Sequence, residues 1–208
     1  GGGGRYDPGI LYYMPQIWTS DNSDAIDRLK IQYATSFAYP VSTMGAHVSA
    51  VPNHQCGRIS PLETRGNVAM SGNFGYELDL SSFDSSQREV VKAQVAFYKE
   101  HRKLIQNGDL YRLKSPYDGN ETAWMIVSPD KAKAFVMHAI VLGVPNPPSR
   151  VLRLAGLDPK TIYQLTGPTN YRSPGDQLMA AGLRLPNSWG DFQSAVWILE
   201  AVDRILSA

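Results

Sequence analysis

An aspartate near the start of the chain, Asp21, combines a side chain that can transfer protons with a position suited to catalysis. It follows a short run, residues 14–19, that is predicted to be a strand, and it precedes a segment with helix-start character. Apolar residues at positions 26, 29, 33, 34 and 37 then recur at helical spacing. In β/α architectures catalytic groups lie where a strand ends and a helix follows. An aspartate in this position is also a common helix cap, so the spacing leaves both roles open.

Several charged and polar residues follow Asp21 directly. Asn22 and Ser23 are candidate N-caps of the predicted helix, which places Asp24 and Asp27 in its first turn. We interpret these two aspartates, together with Arg28, as helix-start charges and a surface pair rather than catalytic groups. Trp18, three residues before Asp21, has an apolar ring that could stack on a sugar face or fill the rim of a barrel.

The remaining residues that often carry chemistry show no convincing pattern. Cys56 is the only cysteine, which excludes an internal disulfide, and the four histidines lack metal-ligand spacing, so we expect no metal and no cofactor. His47 is interpreted as a structural histidine. The glycines at positions 1–4 could be a cloning linker or a phosphate-binding loop. No Lys-Ser/Thr pair follows them as in a P-loop.

Length and charge limit the classes of function. The chain has 208 residues and a formal net charge of +1, with no basic block that would indicate nucleic acid or an acidic membrane surface as a partner. No apolar run approaches the roughly 18 residues that are needed to span a bilayer.

The first part of the chain, residues 1–107, alternates strand and helix signals. Strands are predicted over residues 14–19, 41–48 and 74–79, and helices over residues 23–38, 61–70 and 84–107. This order fits the closing portion of a (β/α)8 TIM barrel, because a whole barrel takes roughly 250 residues.

The second part, residues 108–208, shows a different sequence pattern. Short apolar or alternating runs at 123–128, 134–142, 151–154 and 195–202 are separated by turn signals. They predict an antiparallel β-sandwich, so the fold class is α/β plus all-β. Core packing is the preferred role for Trp124, Trp189 and Trp197.

Several runs of the sequence, in this order and spread over nearly the whole chain, resemble glycoside hydrolase family 36, and most closely its bacterial α-galactosidases, which cleave melibiose and raffinose. The runs are residues 1–9, 13–16, 18–25, 44–49, 62–66, 71–79, 119–124 and 189–192. They include Trp-Thr-Ser-Asp at 18–21 and Met-Gly-Ala-His-Val-Ser at 44–49.

The resemblance implies a function and a set of site residues. It places the general acid/base of a retaining α-galactosidase on Asp21 and implies that the backbone of Gly1 and Gly2 lies close to the galactose, where a tight turn is the competing explanation. We predict that Trp18 contacts the sugar. The resemblance also implies a cytoplasmic homo-oligomer, commonly a tetramer, which binds α-galactoside oligosaccharides.

The nucleophile of the family is an aspartate on an earlier strand than any found here. We therefore expect this chain to begin in mid-domain and to be inactive by itself. Two alternatives stay open: galactosyl transfer of the raffinose or stachyose synthase type, and a carbohydrate-binding or structural module without catalysis.

Overall fold

The computed structural model describes residues 7–204 of the chain, and its first part contains three helices that alternate with parallel strands. The helices are α1 (Ala25–Thr35), α2 (Leu62–Ala69) and α3 (Ser85–Asn107), and the strands are β1 (Gly45–Ser49) and β2 (Asn73–Glu77). β1 and β2 pair in parallel. The predicted α/β class of this part is confirmed.

The strand predicted over residues 14–19 is reduced to one parallel bridge between Ile17 and Met44. The amide of Ile17 donates to the carbonyl of Thr43 at 2.7 Å, and its own carbonyl accepts from Gly45 at 2.9 Å. A 3-10 helix, Pro8–Tyr12, occupies the preceding residues. The prediction that the next strand starts at residue 41 was wrong, because residues 41–43 form a 3-10 turn in which the Thr43 hydroxyl donates to a carbonyl at 2.8 Å.

Two of the helices, α1 and α3, begin where an aspartate side chain satisfies free backbone amides. α1 starts two residues later than predicted, since Asp24 and not Asn22 or Ser23 is its N-cap. The capping box predicted at the start of α3 is confirmed: Asp84 accepts from the amide of Gln87 at 2.8 Å, and the Gln87 side chain accepts in return at 3.1 Å.

The second part is built on a six-stranded antiparallel sheet, with strand order β3-β4-β5-β10-β7-β8. Its strands are β3 (Asp109–Lys114), β4 (Glu121–Val127), β5 (Lys133–Ile140), β7 (Thr161–Thr166), β8 (Tyr171–Pro174) and β10 (Gln193–Arg204). β6 (Val151–Leu152) and β9 (Leu183–Arg184) form a small second sheet, accompanied by the short helix α4 (Gly175–Ala180). This arrangement is the predicted antiparallel sandwich, although its second layer is small.

The two faces of the large sheet bury different partners. One face, which includes Tyr163 and Trp197, packs against leucines of the second layer and α4. The other face, which includes Trp124 and Phe135, packs against α1 and α3 of the first part. Because strand residues alternate between faces, one sheet serves both cores and joins the two parts of the chain.

Polar contacts reinforce this junction. The indole nitrogen of Trp124 donates to Ser71 at 2.8 Å, and the hydroxyl of Thr64 on α2 donates to the carbonyl of Phe192 at 2.7 Å. Trp124 and Trp197 are buried as predicted, but the core role predicted for Trp189 was wrong: its side chain is 92% exposed on a loop between β9 and β10. Within residues 7–204, no helix is long and apolar enough to cross a membrane.

Candidate active site

The carboxyl ends of the Ile17 segment, β1 and β2 lie on the same edge of the parallel arrangement, because these three segments run in one direction. Asp21 follows Ile17 by four residues and is exposed at this edge. This is the edge where the sequence placed it, at the junction of a strand-like segment and α1.

A chain of short-range hydrogen bonds fixes the turn that carries Asp21. The amide of Asn22 donates to the Ser20 hydroxyl at 3.1 Å, and the Asn22 side chain accepts from the amide of Asp24 at 3.0 Å. The carboxylate of Asp24 then accepts from the amides of Ile26 and Asp27 at 3.1 and 3.0 Å. Since Asp24 caps the helix, the carboxylate of Asp21 is not needed for that role.

The loop that follows β1, residues 50–59, lies against this turn. The Gln55 side chain donates to the backbone carbonyl of Asp21 at 3.3 Å. Arg58 forms a salt bridge with Asp24, whose side chain is only 2% exposed, and lies 3.6 Å from a carboxylate oxygen of Asp27. Burial opposes ionisation of Arg58, but these two carboxylates outweigh it and raise its pKa. The loop therefore contacts the backbone at Asp21 and the aspartate that caps α1.

Arg28 fixes the segment from the helix side and was misjudged as a surface residue. It is 3% exposed. Its guanidinium donates to the Thr19 hydroxyl at 2.6 Å, to the Gln32 side chain at 3.2 Å and to the carbonyl of Gly45. Burial lowers its pKa to about 10, while Glu77 acts in the opposite direction. Arg28 thus ties the residues before Asp21 to β1.

Trp18 lies on the opposite face of β1 from helix α2. Its half-buried ring packs on His47, with the ring centroids 4.7 Å apart. Gly45 lies next to this ring, since a Cβ placed there would be 2.9 Å from the indole. The structure therefore brings Trp18 to the same parallel sheet as Asp21. Gly1 and Gly2, the other predicted sugar contacts, lie outside the described residues.

One group of side chains has donor atoms close enough to suggest a cation site. It comprises Asp24, Asp27 and Cys56, whose ligand atoms lie within 4.8 Å of one another. The Asp24 carboxylate already accepts two backbone amides and pairs with Arg58, so its charge is compensated. We assign no metal to this group.

Family models match both parts of the chain. The Melibiase family matches residues 1–108, and the glycosyl hydrolase family 36 C-terminal domain matches residues 121–199. The chain belongs to the melibiase family. The resemblance recognised in the sequence to glycoside hydrolase family 36 is confirmed, and the second family model describes the sandwich as its C-terminal domain.

Curated melibiase relatives are much longer than this chain. It is 57% identical over 204 residues to alpha-galactosidase AgaA of Geobacillus stearothermophilus, a match that covers 98% of this chain and 28% of that protein. It is 47% identical over 186 residues to the bifunctional alpha-galactosidase/sucrose kinase AgaSK of Mediterraneibacter gnavus, covering 89% of this chain and 20% of that protein. The chain thus spans between a fifth and a third of their length.

Solved structures share the fold. A variant of AgaA from Geobacillus stearothermophilus in complex with raffinose superposes with a TM-score of 0.92 at 57% identity, covering 97% of this chain and 28% of that one. The galactosidase domain of AgaSK superposes with the same score at 42% identity, with the same coverage.

Sequence reasoning proposed Asp21 and Trp18 as site residues but did not identify the residues that contact this segment in the fold. Gln55 and Arg58 lie 34 residues along the chain from their partners Asp21 and Asp24, and no periodic pattern marks such a contact. Arg28 offered one usable signal. It lies on the buried face of α1, four residues before Gln32, which is also buried.

Proposed function

We propose that this chain contributes the general acid/base, Asp21, to a retaining α-galactosidase that hydrolyses terminal α-D-galactosyl residues from oligosaccharides such as melibiose and raffinose. The observation that carries the proposal is the placement of an exposed carboxylate, free of capping duty, at the carboxyl edge of parallel β/α units in a melibiase-family chain. The relatives named as alpha-galactosidases support the same reaction class.

The proposed reaction has two steps and needs two carboxyl groups about 5 Å apart. In the first step a nucleophilic carboxylate bonds to the anomeric carbon while the glycosidic C–O bond breaks, and Asp21 donates its proton to the departing oxygen. In the second step the Asp21 carboxylate takes a proton from water, whose oxygen bonds to the anomeric carbon and displaces the nucleophile. Two displacements retain the α configuration.

Asp21 takes only one of these two roles. By resemblance the nucleophile is an aspartate on an earlier strand, in the part of the melibiases that this chain does not span. We propose that the contacts described above keep Asp21 at a fixed height on the strand edge, so that its carboxyl group reaches the glycosidic oxygen.

The structure offers little support for a non-catalytic binding module. Such a module would present a line of exposed aromatic rings on the sandwich, but the sheet carries Trp124, Tyr163 and Trp197 in its two buried cores. Trp189 is strongly exposed but lies on a loop. Galactosyl transfer uses the same first step and differs only in the acceptor, so product analysis with added acceptor sugars separates it from hydrolysis.

We also infer that the complete protein is a homo-oligomer that binds α-galactoside oligosaccharides. Support for self-association comes from three exposed apolar side chains, Leu142, Val144 and Trp189, on neighbouring loops. These loops touch, since the amide of Gly143 donates to Asp191 at 2.7 Å. Light scattering of the full-length protein tests the oligomer.

The decisive experiment replaces Asp21 with alanine in the full-length protein. With melibiose, whose leaving sugar needs a proton, we expect a rate loss on the order of 10²–10⁴. With an aryl galactoside, whose leaving group needs little acid assistance, the first step should be far less affected and the glycosyl-enzyme should accumulate. Azide needs no base and should therefore restore turnover and yield α-galactosyl azide.

The alternative outcomes are equally specific. A β-galactosyl azide would identify Asp21 as the nucleophile, because the product of a single displacement is inverted. Equal losses on both substrates without azide rescue would make Asp21 structural. Asp24→Ala is the contrasting variant: it removes the cap, so azide should not rescue it.

A further inference from the structure

The ring stack between Trp18 and His47 lies on the face of the parallel sheet that the helices leave open. The neighbours of His47 in β1, Ala46 and Val48, are fully buried in the small core against α2 and its surroundings. Since strand residues alternate, His47 projects to the opposite face. There its ring lies 4.7 Å from the Trp18 ring, with an angle of 55° between the two planes.

Two glycines make room for this stack. Gly75 is the register partner of His47 in β2, and a Cβ placed on it would lie 2.9 Å from the imidazole Cδ2. Gly45 stands in the same relation to Trp18, at 2.9 Å. Neither glycine has a positive φ, so the backbone does not demand them. The space they leave is filled by the two rings.

The charges around His47 favour a neutral ring at pH 7. Burial lowers the pKa of His47, Glu77 opposes this shift, and Arg28 reinforces it. These are the charged groups that act on His47 from β2 and α1. A neutral imidazole can pack against an indole without the desolvation cost of a buried cation.

We propose that His47 is a positioning residue of the galactoside site, whose ring holds the Trp18 indole at the height where it contacts the sugar. The inference rests on the proposed function, because it assigns His47 a role only through Trp18. Trp18 is only partly buried, and we expect its exposed part to contact the apolar face of a galactosyl unit.

The test is a double-mutant cycle in the full-length enzyme, with KM and kcat measured on melibiose. We expect His47→Ala to raise KM about 10-fold with kcat changed less than about threefold, since the aligned carboxyl groups are untouched. We expect His47→Phe, which keeps a flat ring, to recover most of the loss. In a Trp18→Ala background, His47→Ala should have little further effect, because the ring that it positions is gone.

Two further variants distinguish a positioning role of His47 from a contribution to protein stability. Gly75→Ala keeps both rings but displaces the imidazole, and it should raise KM in the same direction as His47→Ala. His101 supplies a control, since its ring also contacts an aromatic ring, that of Phe97 at 4.5 Å, and its pKa is also lowered by burial, although it is more buried than His47. His101→Ala should lower thermal stability and leave KM unchanged.

Fluorescence gives a readout independent of activity. The emission difference between wild type and Trp18→Phe isolates the indole of Trp18, and protonation of His47 below pH 6.5 should quench it. His47→Phe should abolish this titration.

Additive effects of His47→Ala and Trp18→Ala, an unchanged KM in folded His47→Ala enzyme, or a pH-independent Trp18 signal would each overturn the proposal. The proposed function fails separately, when Asp21→Ala retains activity on melibiose.

Discussion

The two parts of the chain bury different kinds of side chain. Among residues 7–204, thirteen of the buried polar or charged side chains lie before residue 108 and four lie after it. The first part buries groups such as Asp24, Arg28 and Arg65, each with specific partners. The core of the sandwich is formed mainly by leucines, with alanines, valines, Met125 and the rings of Tyr163 and Trp197.

This difference indicates that the two parts of the chain have different structural roles. Apolar packing tolerates moderate change in shape, whereas a buried polar network is stable only when every member keeps its partner. A network of that kind suits the function proposed for the first part, in which Asp21 has to stay at one position. An apolar core suits a region that only has to remain folded and to supply a firm surface for α1 and α3.

The largest expected effect on stability comes from the centre of the sandwich. Trp197 is fully buried, so Trp197→Ala in the full-length protein should cost about 3–5 kcal/mol by leaving a cavity. Thermal unfolding would register the loss, while kcat per folded molecule should stay near that of wild type. Val202→Ala is the control on the same strand, since this side chain is 45% exposed and its truncation should change stability by less than about 0.5 kcal/mol. A Trp197→Ala enzyme that is stable but inactive would contradict the view that the sandwich core contributes stability rather than activity.

Replacing Arg58, in contrast to Trp197, should lower kcat as well as stability. Arg58→Ala leaves the buried carboxylate of Asp24 without its cation and removes a contact with the Phe192 ring, whose centroid lies 5.6 Å from the guanidinium. We expect a stability loss of about 1–3 kcal/mol and a fall in kcat of roughly tenfold, because Asp21 loses part of its support.

The matched control for Arg58 is Arg172→Ala. The Arg172 side chain donates to Gln164 on the surface of the sandwich at 3.0 Å. Its loss should leave kcat unchanged. Arg58→Lys should recover only part of the activity, since an ammonium group cannot reproduce the planar contacts of a guanidinium. Normal kcat in Arg58→Ala enzyme would show that the loop after β1 does not position Asp21.

Much of this fold could be predicted because its signals are local. The capping box at Asp84 and the glycine after Asn107 set the ends of α3, and both lie within a few residues of the groups they satisfy. Strands β4, β5 and β10 contain continuous apolar runs, and turn residues separate these runs from one another. Short half-buried strands such as β7 escaped prediction, because their alternation covers too few residues to stand out.

The candidate site shows where this kind of reasoning ends. Asp21 and Trp18 could be proposed from a motif and a strand–helix junction. The residues that contact this segment, Gln55, Arg58 and His47, could not be identified from the sequence, because such contacts depend on how distant segments pack. Trp189 was assigned to the core by residue type alone, although its loop leaves it in solvent.

Glu121 provides a smaller test at the edge of the sandwich, where a polar cluster does occur. Its carboxylate binds Lys114 and lies 3.2 Å from His138 and 3.4 Å from Arg150. The hydrogen bond with His138, assisted by Lys114 and opposed by burial, lowers the pKa of Glu121 to about 2.

A lowered carboxyl pKa contributes stability that is present above the unfolded value near 4.5 and is lost as the pH falls toward 2. Glu121→Gln should therefore cost about 1–3 kcal/mol at pH 7 and progressively less below pH 4.5. Unfolding in urea at pH 7, 4.5 and 3.5 measures this convergence. A difference from wild type that stays constant or grows between pH 4.5 and 3.5 would mean that the cluster is not stabilised by the Glu121 charge.

The smallest expected effects on stability come from ion pairs on the surface. These pairs test whether electrostatic stabilisation outside the cores differs between the two parts of the chain. Lys133 and Glu200 face each other across β5 and β10 at 2.6 Å, with side chains 53% and 50% exposed. Glu89 and Lys92 form a comparable pair on α3 at 2.6 Å, with exposures of 70% and 71%. Exposed pairs contribute roughly 0.2–1 kcal/mol because water screens the charges and both side chains lose rotamer freedom. Double-mutant cycles with alanine should give coupling energies in this range for both pairs, and both couplings should decrease in 1 M salt. Equal couplings would locate the difference between the two parts in their interiors, whereas a coupling well above 1 kcal/mol on α3 alone would mean that charge also stabilises the surface of the first part.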